Sequence, residues 1–503
     1  MLRIGNNIIY AAIIALACFL PEVGFLVDGD ILPKWYLLGL SLCAFVITYG
    51  ISGLNDAITL PSIKVTLTAV ASLVSLWAVI ESAFNGWIAA HGPFDNPAGL
   101  AISLCCVLAL NSNVIGTNGR TCKWLNITSI TIMACAVIAS QSRCGIVALM
   151  LIVASSSFQH KRWLIGYVLL VLLSCATIGL SAMKSSSTSG RAFILYQTWI
   201  MVAEHPLKGW GVGGFEHSYM FQQASYFEMN PDSPAAILAD DIRHPLCEYL
   251  LWWVNYGIAG LLAIILMLFY PVFKAQDKGV RLACLLICWF ATVSYPLHYP
   301  IVWLILIIGW GQALPQNIIN HAADIVPMRM IRLICLMAVL VILGHATISY
   351  LLMQADKASV GHKHAKALRI YRHLETICQY NPYYLYSYSR ECYTIGLFEE
   401  ALHWNDRCHL YWSSYDLTLL RGDILYHFDR LYDAEHAYIL ASHMCPVRFA
   451  PLAGLMDVYE TAGDRARLIE TAVNIRNRPI KVPSGNVENI KRKAAAVLEN
   501  YSK

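Results

Sequence analysis

His205-Pro206-Leu207-Lys208-Gly209-Trp210-Gly211-Val212-Gly213-Gly214-Phe215 lies inside a polar connection that opens at Ser189-Gly190-Arg191 and closes at Arg243-His244-Pro245-Leu246. On either side the chain is apolar over lengths that fit a lipid bilayer. The connection, about 183–246, is the only long polar interruption in the first 355 residues. It gathers Arg191, Arg243, His205, His217 and His244. Connections of this size are uncommon in compact proteins unless they carry a function, so the loop points to a site at the membrane surface.

A chain of 503 residues that is 57% hydrophobic and only 14% charged is too apolar for an ordinary soluble protein. It reads as a polytopic membrane protein. The net charge of +4 implies no nucleic acid, because membrane proteins distribute basic residues by leaflet rather than by partner. The 16 cysteines show no CxxC pair and no metal-ligand spacing, and neither a metal nor a cofactor is expected. Cys105-Cys106 read as core, while Cys378, Cys392, Cys408 and Cys445 could pair in an oxidising compartment. The first apolar run, about 7–27, follows Arg3 and competes with a signal peptide. It lacks a small-x-small cleavage pattern and is interrupted by Pro21-Glu22, so it reads as a span.

A span needs about 20 apolar residues. That length selects segments near 7–27, 35–52, 64–84, 97–111, 124–140, 144–158, 163–182, 247–273, 281–296, 300–316 and 330–353, about eleven in all. With a cytoplasmic N-terminus, the inner loops hold Arg3, Lys64, Arg120, Lys123, Lys161, Arg162, Lys274, Lys278, Arg281, Arg329 and Arg332. The short outer loops hold only Lys34 and Arg143, beside Asp28, Asp30 and Asp95. This asymmetry sets the orientation and puts the long loop, the turn His91-Gly92-Pro93-Phe94-Asp95-Asn96-Pro97 and the C-terminal tail outside.

Arg143 sits in the tight turn Gln141-Ser142-Arg143-Cys144-Gly145, at the interface. It is either a functional charge or a snorkelling anchor. Within the loop, Ser189 can cap a helix over 191–204, with Ile194, Leu195, Thr198, Met201 and Val202 at helical spacing and His205-Pro206 at its end. Gly209, Gly211, Gly213 and Gly214 permit tight turns and close approach. No strand or GxxxxGK[ST] accompanies them, so a turn is the plainer reading than a phosphate cradle. His244 stands beside Asp240, Asp241 and Arg243 before an apolar helix. It is either a surface residue at the helix start or an imidazole placed to take a proton.

The succession Arg191, an amphipathic helix, Pro206-x-x-Gly209-x-Gly211-x-x-x-Phe215, then His244, Glu248-Tyr249-Leu250 and Gly257-Ile258-Ala259-Gly260 resembles the O-antigen ligase family. Gly92-Pro93-Phe94-Asp95-Asn96-Pro97 is similar to that family's Gly-x-Phe-x-Asn-Pro turn, and Ser142-Arg143-x-Gly145 to its Ser-Arg-Gly step. The chain departs from the family in having Pro245 after the histidine and Ala98 after Asn96-Pro97. The resemblance covers about 90–300. It implies inverting transfer of a glycan from an undecaprenyl diphosphate carrier to an acceptor hydroxyl, without a nucleotide sugar or metal. Arg143 and Arg191, with Arg243 third, would hold the diphosphate through planar forks, and His244 would be the general base. His217 and His298 are candidate sugar contacts.

From about Asp356 the chain becomes charged and rich in Tyr and His. Ala367, Ala401 and Ala434 recur at spacings of 34 and 33 residues, resembling tetratricopeptide repeats, with an irregular helical bundle as the alternative. The expectation is therefore an all-α protein: a transmembrane bundle over 1–355 with an outer catalytic loop at about 183–246, then a soluble α-solenoid over 356–503. The acceptor is open between lipid A-core and a protein Ser or Thr, and the tail could dock a protein partner. With the tail on the outer face, the resemblance to the O-antigen ligase family implies a bacterial inner-membrane location with the tail in the periplasm. Polymerisation of glycan repeats is the nearest alternative activity. A membrane-anchored scaffold or transporter is the alternative from another class, though transporters usually place charged or broken helices at mid-membrane.

Overall fold

The computed structural model describes residues 2–49, 60–112, 120–159, 185–315, 317 and 326–501. It is helical, with no strand among the described residues. By compactness it forms two units. One comprises Met1–Met183, Leu246–Tyr249 and Leu262–Met353; the other comprises Lys184–Pro245, Leu250–Leu261 and Gln354–Lys503. The polar loop therefore clusters with the C-terminal tail.

The first unit holds α1 (Leu2–Cys18), α2 (Leu32–Tyr49), α3 (Leu60–Phe84), α4 (Pro97–Leu110), α5 (Arg120–Ala139) and α6 (Arg143–Gln159). Among the described residues, three helices are long and apolar enough to cross a membrane: Leu60–Phe84, Glu248–Lys274 and Met328–Val360. Shorter apolar helices cover most other expected spans, and the expected span 163–182 lies outside the described residues. The first helix stops at Cys18, well short of residue 27, because Pro21 cannot donate to a continuing ladder and the chain turns through Val23–Asp28. At the centre of this unit is α4, buried from Gly99 to Leu110 and packed by α3, α5 and α6. A helix apolar on all sides has no solvent face to present, which is why this one ends up inside.

The tail follows the long helix Met328–Val360, whose 33 residues span about 50 Å at 1.5 Å per residue, more than a bilayer core needs. Eight helices come after it: His364–Cys378, Pro382–Thr394, Phe398–His409, Tyr415–His427, Leu431–Met444, Ala450–Ala462, Arg465–Asn477 and Gly485–Tyr501. Each packs mainly on its sequence neighbours. Ala367, Ala401 and Ala434 fall on alternate helices and are fully buried, since only a small side chain fits where two helices touch. Cys378, Cys392, Cys408 and Cys445 are buried free thiols, so no pairing among them occurs.

Tyr438 shows how tightly the stack is filled. Its ring lies between Gly422 and Gly454, where an added Cβ would stand 2.6 Å and 2.4 Å from ring atoms. Its hydroxyl donates to Asp423 at 2.7 Å. Gly454→Ala should therefore displace the ring and cost about 1–3 kcal/mol as overpacking, measurable as a lowered Tm of the purified protein. An unchanged Tm would show that the ring can move aside.

Candidate functional site

The loop begins with α7 (Ser185–Glu204) and then α8 (Gly214–Met229), and leads into α9 (Glu248–Lys274). The α7 helix starts at Ser185, so Ser189 is inside it rather than capping it, and Arg191 lies beyond the first turn. No proline stands between Ser185 and Arg191, and one internal glycine costs only about 1 kcal/mol, so the helix extends upstream. The termination at His205-Pro206 is as expected.

The glycine-rich segment is a turn with a definite purpose. Helix α9 breaks at Gly257, whose φ of 64° and ψ of −156° are closed to other residues. The break deprives carbonyls upstream of their helical donors, and an unpaired carbonyl is costly. Trp210 N donates to Val254 O at 2.7 Å and Gly211 N to Asn255 O at 3.0 Å. Asn255 Oδ1 in turn accepts from Phe215 N at 3.0 Å, and Trp253 Nε1 donates to Pro206 O at 3.0 Å. The two backbones meet so closely that a Cβ on Gly209 would lie 2.6 Å from Gly257 N, and one on Gly257 would lie 2.1 Å from Leu207 O. The glycines thus lock the loop onto the helix break and do not cradle an anion.

Helix α8 is a further element of the loop, in a stretch to which the sequence analysis assigns no element. The signal was Phe215, Tyr219, Met220, Ala224 and Phe227, all buried on one face. Gln223, fully buried, is its anchor: Nε2 donates to Met444 O at 2.6 Å and to Asp240 O at 3.0 Å, while Oε1 accepts from Tyr219. The carbonyl of Glu216 accepts from Ser413 N at 3.0 Å and from Ser413 Oγ at 3.2 Å. The segment before His244 is tied down in the same way. Asp240 Oδ1 pairs with Arg448 at 2.7 Å, Asp241 Oδ1 accepts from Tyr415 N at 3.4 Å, and the Arg243 guanidinium lies 5.0 Å from the Trp412 ring. Met444, Ser413, Arg448, Tyr415 and Trp412 all belong to the tail.

The structure therefore places Arg191, His217, Arg243 and His244 in the unit that contains the tail, and Arg143 and His298 in the other. His217 Nδ1 lies 3.1 Å from Ser218 Oγ. Helix α9 starts at Glu248, four residues after His244, with Pro245 and a left-handed Leu246 between them.

In the first unit, the Gly92–Pro97 turn is a polar hub. Asn96 Oδ1 caps α4 by accepting from Gly99 N at 2.8 Å, and its Nδ2 donates to the hydroxyls of Tyr295 and Tyr299 at 2.6 and 2.9 Å. Tyr299 donates onward to Asp95 at 2.9 Å, and its ring covers Gly99, where a Cβ would lie 2.5 Å away. Lys34, fully buried, donates to Pro93 O at 2.7 Å. His298 packs its ring against Tyr295 and Tyr299, and burial lowers its pKa. The Ser142-Arg143-x-Gly145 step is equally specific. Ser142 Oγ accepts from Gly145 N at 3.3 Å, and Gly145 lets α6 approach α4 so closely that a Cβ would stand 2.5 Å from Ala101 Cβ. Arg143 is presented at the first turn of α6. Among the described residues of this unit, an apolar groove of about 850 Å³ runs between Leu151, Ala154, Leu282, Leu286 and Trp289.

Two predictions follow from the loop. Gly257→Ala, which needs both a left-handed φ and space occupied by Leu207 O, should destabilise the protein by more than about 1 kcal/mol, seen as a lowered Tm. Asp241 is raised to about 6, chiefly by burial. A raised carboxylic acid contributes stability that is full below its unfolded pKa, near 3.8, and lost as pH rises towards 6. Asp241→Asn keeps an acceptor for Tyr415 N and should flatten that part of the Tm-versus-pH curve between about pH 4 and 6; an unaltered curve would exclude Asp241 as its source.

No curated protein matches the chain. Residues 128–265 match the family described as O-antigen ligase. The matched stretch runs through Ser142-Arg143, α7, the glycine turn, α8, His244 and the break in α9. It thus takes in both the Ser142–Gly145 step and the loop whose geometry is set out above, and over these residues the chain carries an O-antigen ligase domain.

Proposed function

We propose that the protein is a membrane glycosyltransferase that moves a glycan from an undecaprenyl diphosphate carrier to an acceptor hydroxyl on the periplasmic face. The match of residues 128–265 to the O-antigen ligase family supports a membrane ligase or glycosyltransferase. The observation that carries the finer reading is that the matched stretch presents Arg143, Arg191, Arg243 and His244 from backbone fixed by caps, a helix break and tail contacts. In this reading the guanidinium groups of Arg143 and Arg191, with Arg243 third, neutralise the diphosphate as it leaves. His244 takes the proton of the acceptor hydroxyl as that oxygen attacks the anomeric carbon with inversion. His217 and His298 contact sugar. The apolar groove of the first unit suits a polyprenyl chain. The domain organisation of this reading is a transmembrane domain over 1–355 and a tetratricopeptide-like domain over 356–503, outside the cytoplasm in a bacterial inner membrane.

Charge placement supports the orientation. Lys64 pairs with Asp277 at 2.9 Å, both expected on the inner face, while Lys34, Asp95 and His298, expected on the outer face, share one hub.

His244→Ala, Arg191→Ala and Arg143→Ala should each abolish surface glycan in a complemented knockout, a loss of at least about 100-fold for the base. Blots for lipopolysaccharide and for glycoprotein then identify the acceptor. Stable variants that all restore every glycan would overturn the enzymatic reading. A reporter fused at Asp356 should read as periplasmic.

A further inference from the structure

The loop and the tail enclose a cavity that the transfer reading leaves without a role. It has a volume of about 450 Å³, and its wall combines Asp240 of the loop with Tyr415, Asp416, Arg448 and Lys481 of the tail. That volume is in the range of ligand pockets. We propose that this cavity binds an extended peptide segment carrying aliphatic side chains, and so presents a protein acceptor to the loop. The inference rests on the transferase reading for the meaning of the bound peptide, and deepens it by choosing protein over glycan as the acceptor.

The lining decides the ligand class. Leu419, Val447, Val487 and Ile490 give it an aliphatic side, and Val482 is 68% exposed beside them. A saccharide would set hydroxyls against these groups with no partner for their hydrogen bonds, which is unfavourable. The aromatic rings offer little to a sugar either, because the Arg448 guanidinium already lies over Tyr415 at 5.2 Å and Lys491 over Phe449 at 5.5 Å. Aliphatic side chains of a peptide fill such a wall directly.

The polar part suits a peptide backbone. Arg448 and Lys481 both approach Asp240, at 2.7 Å and 3.9 Å, which leaves that edge with a surplus of one positive charge. Asp416, exposed in the first turn of its helix, makes no ion pair among the described residues and gives another edge a negative charge. Carbonyls can turn towards the first and N–H groups towards the second, with Ser484 and Asn486 also lining the cavity.

Position links the cavity to the chemistry. Asp240 precedes His244 by four residues, a reach of at most about 14 Å. A peptide seated against Asp240 therefore brings a Ser or Thr about four residues away within range of the proposed base.

The test uses the purified full-length protein in detergent with no lipid-linked donor, so that peptide binding is read independently of transfer. The probe is a fluorescein-labelled 12-residue peptide with one Thr among Leu, Val and Ala residues, with unlabelled maltotetraose as competitor. Saturable anisotropy change is expected, undiminished by maltotetraose and weakened at least tenfold by Val482→Asp and by Asp416→Lys, neither of which should alter Tm. Absence of saturable binding, equal binding by both variants, or displacement by maltotetraose would overturn the proposal while leaving the transferase reading untouched. Loss of transfer in His244→Ala with peptide binding at its full level, or its absence, bears on that reading alone.

Discussion

The break in α9 at Gly257 is the constraint from which the loop's arrangement follows. A helix that stops making its own hydrogen bonds must find donors elsewhere, and Trp210 N and Gly211 N supply them. Only glycine at 209 and 257 allows the two backbones to come together. Once this junction is made, the end of α7 and the start of α8 are fixed by the contacts of Pro206, Trp210, Gly211 and Phe215. The loop is long, but it is not loose.

The second fastening is made by the tail. Gln223, Asp240, Asp241 and Arg243 each meet a residue beyond position 411. The buried Gln223 amide demands partners and finds one in Met444, while the half-buried Asp240 and Asp241 reach Arg448 and Tyr415, so the loop and the tail cluster as one unit. The helices of the tail rest mainly on their sequence neighbours, and the segment before His244 is held against them.

Much of this was legible in the sequence. Apolar length predicted most of the helices of the first unit, and glycine spacing predicted a turn. The alanines at 34- and 33-residue spacing marked helices that the structure shows with those positions buried. The family resemblance was readable from Ser142-Arg143-x-Gly145 and the loop because those residues have strict local jobs: a cap, a close approach and a turn. What was not legible depends on partners far along the chain. Gln223 and Met444 are 221 positions apart, and Asp240 and Arg448 are 208 apart; periodicity carries no information about such pairs. The early start of α7 was missed because Ser189 has the chemistry of a cap, and only the turn upstream shows that it is not used as one. Helix α8 was missed because its apolar positions are mixed with polar ones in a stretch read as a connection.

The four tail cysteines have a consequence of a different kind. Burial pushes the Cys392 and Cys408 thiols up to about 12 and raises those of Cys378 and Cys445. A thiol without thiolate character and without access to solvent neither oxidises nor exchanges. The helices of the tail are therefore held together here by packing and hydrogen bonds, without a covalent link among these four cysteines. Each thiol can react only while the helices around it are parted. Spaced along the tail as they are, the four act as natural clocks for local opening, each reporting on the helices around it.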